Sequence, residues 1–208
     1  MADSLRWMSW GLLLVALDFR IEGFDILPDF AGFLMIAYQL QSLKRREAVF
    51  AGENSTHTTP SPKIARRYNV AAILATVLAV LSLGDMATPL AAAGMDMPLN
   101  RGWMLYGAAG QLLMVFMVHT ALTALESQLR ERALPETAER VRLSRKWYNG
   151  MLWLLLLASP FILNAREATT YLLLPLGAVM FIMELLLFFT WRRVAKVLDG
   201  QSQEGPEA

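Results

Sequence analysis

The residues best placed to do chemistry are four carboxylates and one arginine near the N-terminus. Asp18, Glu22, Asp25 and Asp29 follow one another at spacings of four, three and four, with Arg20 among them. On a continuous helix this spacing puts all four on one face. On a hairpin bent at Gly23 they converge from two arms instead, because glycine accepts the backbone angles of a tight connection. Carboxylates crowded away from water need a cation, a proton or an arginine between them. Oxygen-only ligands of this kind suit Mg²⁺, Ca²⁺ or Mn²⁺ rather than copper or zinc. The segment therefore reads in one of two ways. It is a cation or proton site, or it is a structural clasp in which Arg20 meets Asp25 or Asp29. In the clasp, Asp25 caps a helix, Pro28 sits in its first turn and Asp29 complements its dipole.

Two further ionisable residues, His119 and Glu184, fall inside long apolar stretches. A carboxylate at membrane depth costs a few kcal/mol and by default points to function. Both stretches run in the same direction, which predicts similar depth for the two side chains. A His119–Glu184 pair would serve as a proton relay or as a polar clasp between helices. Gln111, two helical turns from His119, extends that polar track.

Enzyme templates fail. The chain has no G-x-S-x-G, no H-E-x-x-H and no phosphate-binding loop. It has no cysteine, which removes disulfides, zinc–thiolate sites and cysteine nucleophiles together. No catalytic residue is assigned, and the chain is read as a non-enzyme. A net charge of +1, with neither an acidic nor a basic tail, gives no support for nucleic-acid binding.

The elements that must position these residues are membrane helices. Of the 208 residues 55% are hydrophobic and 18% charged. An ordinary soluble domain has about 45–50% apolar and about 25% charged residues. A spanning helix needs roughly 20 mostly apolar residues. Six stretches meet or approach that length, at about 5–21, 25–43, 69–87, 103–125, 147–164 and 170–191. The predicted fold is all-α: one transmembrane domain of three consecutive hairpins. A mobile loop is expected over 47–63, a charged loop over 126–146 and a polar tail over 192–208. The first two spans are short, so a re-entrant pair of half-helices competes with a fully spanning hairpin whose turn lies at Glu22-Gly23-Phe24. No small-x-small cleavage pattern stands before Asp18, so the first segment reads as a retained helix rather than a signal peptide.

Charge sets the orientation. Placing both termini and the loops 44–69 and 126–147 on one side collects 16 of the 19 lysines and arginines there. The opposite side keeps Arg20, Arg101 and Arg166 against seven carboxylates, among them Asp85, Asp96 and Glu167. The positive-inside rule makes both termini cytoplasmic. Small residues predict close helix packing: Ala71, Ala75 and Ala79 recur every four residues, and Gly107, Gly110 and Ala121 line the fourth span.

The stretch LDFRIEGFDILPDFAGFLMIAYQL, 24 residues from Leu17 to Leu40, resembles a motif of uncharacterised small multi-pass bacterial membrane proteins. The matching positions are Asp18, Phe19, Ile21, Gly23, Phe24, Asp25, Leu27, Pro28, Asp29, Phe30 and Gly32. The resemblance implies a multi-pass protein of the bacterial plasma membrane and supplies no activity.

Two functions remain open. One is a small transport or transport-accessory protein that binds a cation or couples protons at an outward-facing acidic site. The other is a non-catalytic membrane scaffold or sensor, with basic cytoplasmic loops that meet anionic lipid or a protein partner. Six short spans leave little room for an enclosed cavity, which favours a homo-oligomer if transport is the role.

Overall fold

Apolar runs bounded by proline, charge and polar segments fold here into six helices. The computed structural model of the chain describes residues 1–17, 20–21, 24–25, 29–53, 62–87, 101–164 and 168–203. The helices are α1 (Ala2–Ala16), α2 (Asp29–Glu53), α3 (Pro62–Ala87), α4 (Arg101–Glu131), α5 (Pro135–Asn164) and α6 (Ala168–Gln203). Pro62 and Pro135 each stand at the first position of a helix, where a missing amide hydrogen costs nothing. Two of the helices, over Pro62–Gly84 and Tyr106–Glu131, are long and apolar enough to cross a membrane.

Each helix packs on its neighbour in sequence, and α6 closes the bundle against α1. The shared core runs through Leu5, Leu12, Leu40, Leu122, Tyr148 and Trp191, each almost wholly buried. Ala71, Ala75 and Ala79 are buried, as their four-residue spacing predicts. Gly107 and Gly110 are not close-approach residues: a methyl group at either would meet nothing within 4 Å. The closest approach lies between α1 and α2, at Gly11 and Gly32.

One end of the bundle gathers both termini. Arg6 of α1 forms an ion pair with Asp199 of α6. Glu47 near the end of α2 meets Arg132, beside the start of α5, at 3.7 Å. Lys44 donates to Asn69 across α2 and α3 at 2.7 Å, and Tyr68 donates to Gln128 across α3 and α4 at 2.7 Å. Burial, and then Arg46, hold the Met1 amine below its usual range. The cationic loops of the sequence therefore lie at a common end.

The first hairpin departs from the helical expectation. Helix α1 stops at Ala16 rather than continuing to residue 21, and α2 begins at Asp29 rather than at 25. Between them, strands β1 (Arg20–Ile21) and β2 (Phe24–Asp25) pair antiparallel, with Arg20 opposite Asp25 and Ile21 opposite Phe24. Ile and Phe favour strands, and a short link containing glycine suits a hairpin. Asp25 is thus a strand residue and not a helix cap.

Other boundaries lengthen the helices. Helix α2 continues through the region expected as a loop from 47, to Glu53, and α6 runs to Gln203. The charged stretch 126–146 is almost all helical, broken only at the turn before Pro135. That turn is a Schellman motif. The Ala133 amide donates to the Arg130 carbonyl at 3.1 Å, and the Leu134 amide to the Leu129 carbonyl at 3.0 Å. Ala133 sits there at a φ of 56°, the left-handed conformation usually taken by glycine.

Candidate functional site

Glu184 lies on the same stripe of α6 as Leu187, Trp191 and Ala195, all of which are buried in the shared core. It is partly buried, and the charge acting on it is the carboxylate of Asp29, in the first turn of α2. Glu184 makes no hydrogen bond or ion pair among the described residues. Tyr148 of α5 is close enough to feel the Glu184 charge. Its ring is 1% exposed, and its hydroxyl has no hydrogen-bond partner. Glu184 thus lies within electrostatic range of both Asp29 and Tyr148.

The sequence assigned Asp29 to an outer cluster and Glu184 to an inner relay; in the fold the Asp29 charge reaches Glu184. It does not place His119 against Glu184. The His119 ring nitrogen Nδ1 is 2.8 Å from the side-chain amide of Asn149 on α5, with Arg145 and Arg67 nearby. His119 and Gln111 both lie on exposed parts of α4. His119 therefore belongs to the α4–α5 seam, and Glu184 to the core-facing stripe of α6.

Of the remaining acidic set, Asp18 and Glu22 lie outside the described residues, as do Asp96 and Glu167. Arg20 and Asp25 are placed by their backbone as directly opposed partners in the ladder. No group of three or more His, Asp or Glu residues able to hold a metal ion occurs among the described residues.

A second polar cluster ties the α4–α5 hairpin together at the end that holds the termini. Glu126 receives Arg145 at 3.0 Å and Arg130 at 3.1 Å. Arg145 also donates to the Thr123 hydroxyl, and Arg67 of α3 donates to the Ser127 hydroxyl at 3.0 Å. Glu47, 8% exposed, has its carboxyl pushed above the usual range by burial, against the opposing pull of Arg132. These contacts tie α3, α4 and α5 together at that end.

No protein-family model, curated protein or solved structure matches the chain. Function is therefore read from the geometry alone. Tyr148 was not among the candidate residues read from the sequence. The available signal was its position near the start of a long apolar run, where a buried hydroxyl needs a partner.

Proposed function

We propose that the chain is a six-span protein of the bacterial plasma membrane, with both termini cytoplasmic, acting as a small transport or transport-accessory protein for protons or a cation. Membrane placement is supported by large apolar side chains turned outward on every helix. Trp10, Leu34, Val80, Phe116, Leu157 and Ile182 are all exposed, one from each of α1 to α6. Exposed apolar surface spread over a whole bundle suits lipid rather than water. The cationic end then faces the cytoplasm.

The observation that supports the transport reading is Glu184 itself, a partly buried carboxylate on the core-facing stripe of α6 with no hydrogen bond or ion pair among the described residues. A carboxylate held away from water without a counter-charge is stable with a proton or a cation. The Tyr148 hydroxyl, within range of the Glu184 charge, would donate to that carboxylate when it is ionised. On this reading the acidic segment with Asp18, Glu22 and Asp25 would supply the outer approach, where Mg²⁺, Ca²⁺ or Mn²⁺ would be concentrated.

Reconstitution into proteoliposomes with an imposed pH difference tests this. Wild type should dissipate the gradient faster than empty vesicles, and Glu184→Gln should slow it at least tenfold while melting at a similar temperature. Equal rates for the two proteins would overturn the reading.

The register of Arg20 opposite Asp25 favours a second reading, the scaffold or sensor with a clasped hairpin. Opposite charges across an antiparallel pair support the pairing itself. Thermal stability against Mg²⁺, Ca²⁺ and Mn²⁺ separates the two readings. A saturable rise that Asp25→Asn/Asp29→Asn abolishes marks a ligand site. An earlier melt without any cation effect marks a clasp.

A further inference from the structure

We infer that the outward-facing groove between α5 and α6 is a binding site for one anionic phospholipid of the cytoplasmic leaflet. The inference rests on the membrane placement proposed above; the deep end of the groove is lined by Tyr148 but by neither Asp29 nor Glu184.

The groove has two contiguous sections of about 280 and 310 Å³, which share Leu143, Ser144, Leu186 and Thr190. Its polar end, on the side of the termini, is lined by Arg140 and Arg193. Both arginines are exposed, and neither makes an ion pair or hydrogen bond among the described residues. Most of their neighbours are committed: Arg130 and Arg145 hold Glu126, Arg132 holds Glu47 and Arg142 holds Glu139. Two uncommitted guanidinium groups on facing helices suit a phosphodiester, since each offers a planar fork of donors.

From Arg193 toward Met183 the walls become apolar, with Leu143, Leu186 and Trp147 exposed along them. The Ser144 and Thr190 hydroxyls lie 3.1 Å apart, and Thr190 also bonds the Leu186 carbonyl at 2.8 Å. They satisfy each other and leave the floor able to accept a hydrocarbon chain. Ten helical residues from Arg193 to Met183 rise about 15 Å. That is half of a hydrocarbon core of about 30 Å, the depth of a single leaflet. Charge at the headgroup level and a dry trough one leaflet long match one molecule with a phosphate and an acyl tail. Basic pockets between helices on the cytoplasmic side recognise anionic headgroups in this way.

The test is native mass spectrometry of the detergent-purified full chain, titrated with phosphatidylglycerol or with phosphatidylcholine of identical acyl chains. Wild type should take up one phosphatidylglycerol at a concentration at least tenfold lower than phosphatidylcholine. Arg140→Gln/Arg193→Gln should lose that preference. Leu186→Trp should weaken binding of the lipid with both arginines intact, by filling the trough. Soluble glycerol phosphate should not compete, because the tail contributes. Lys63→Gln/Arg66→Gln removes the same charge from exposed residues at the same end, outside the groove, and should leave the preference unchanged. Equal uptake of the two lipids by wild type would overturn the site. So would an unaltered preference in Arg140→Gln/Arg193→Gln, or an equal loss in Lys63→Gln/Arg66→Gln. The need for detergent to extract the protein from membranes, measured on the same preparation, reports membrane placement separately from occupancy of the groove.

Discussion

Gly11 of α1 and Gly32 of α2 meet backbone to backbone. A methyl group built on Gly32 would stand 2.6 Å from the Gly11 carbonyl oxygen, and one on Gly11 would stand 2.8 Å from the Gly32 carbonyl oxygen. Two rigid backbones cannot yield as a flexible side chain can. The first two helices therefore cross at a distance that only this pair of residues permits, and the hairpin beyond them inherits its position from that contact.

Gly32→Ala should destabilise the protein by about 1–3 kcal/mol, the usual cost of forcing extra volume into a packed site. Gly110→Ala adds the same methyl group where nothing lies within 4 Å. It should instead stabilise by about 1 kcal/mol, because alanine is the better helix former. Thermal unfolding of both variants in one detergent decides the matter; a harmless Gly32→Ala would refute the close crossing.

Tyr68 and Tyr148 are equally buried but differ in their hydroxyls. Tyr68 donates to Gln128 at 2.7 Å, whereas the Tyr148 hydroxyl has no partner. Tyr68→Phe should cost about 1–3 kcal/mol, since it strands a buried amide oxygen. Tyr148→Phe should be neutral or slightly stabilising, while slowing proton flux in vesicles. The two melting temperatures and the one flux measurement test stability and role apart.

Ala133→Gly should raise stability by about 1 kcal/mol, because a left-handed backbone costs an L-residue roughly that much and glycine nothing. Ala133→Val should lower it, as branching at Cβ aggravates the same clash. Melting temperatures moving in opposite directions would support the turn; a shift of both in the same direction would count against it.

Glu47 sets a pH dependence. Its carboxyl titrates above the usual range when folded, chiefly because burial disfavours the charge. The stability it contributes is thus fully present below its unfolded pKa and is lost as pH rises through the folded value. Glu47→Gln cannot ionise, so its advantage over wild type should grow as pH rises from about 4 into the neutral range. Unfolding curves of the two proteins across that range should diverge in that sense; parallel curves would remove Glu47 as the source.

Local chemistry written in the chain was enough to predict an all-α fold, six apolar segments and the common end that gathers both termini. Apolar runs of helical length and clustered cations act over neighbouring residues, so they can be read without the fold. The burial of Ala71, Ala75 and Ala79 was legible for the same reason: a four-residue spacing defines one helix face. What depended on how the helices turn about their axes was not legible. Residue spacing does not say which face meets which neighbour, so the contacts Gly11–Gly32 and His119–Asn149, and the reach of the Asp29 charge to Glu184, appear only in the folded bundle. The first hairpin shows the same limit. Its carboxylate spacing fits a helix face, but pairing of Ile21 with Phe24 across a short link made it a β-ladder and left Asp29 to open α2. Tertiary packing, which couples residues distant in the chain, decided which carboxylates share an environment.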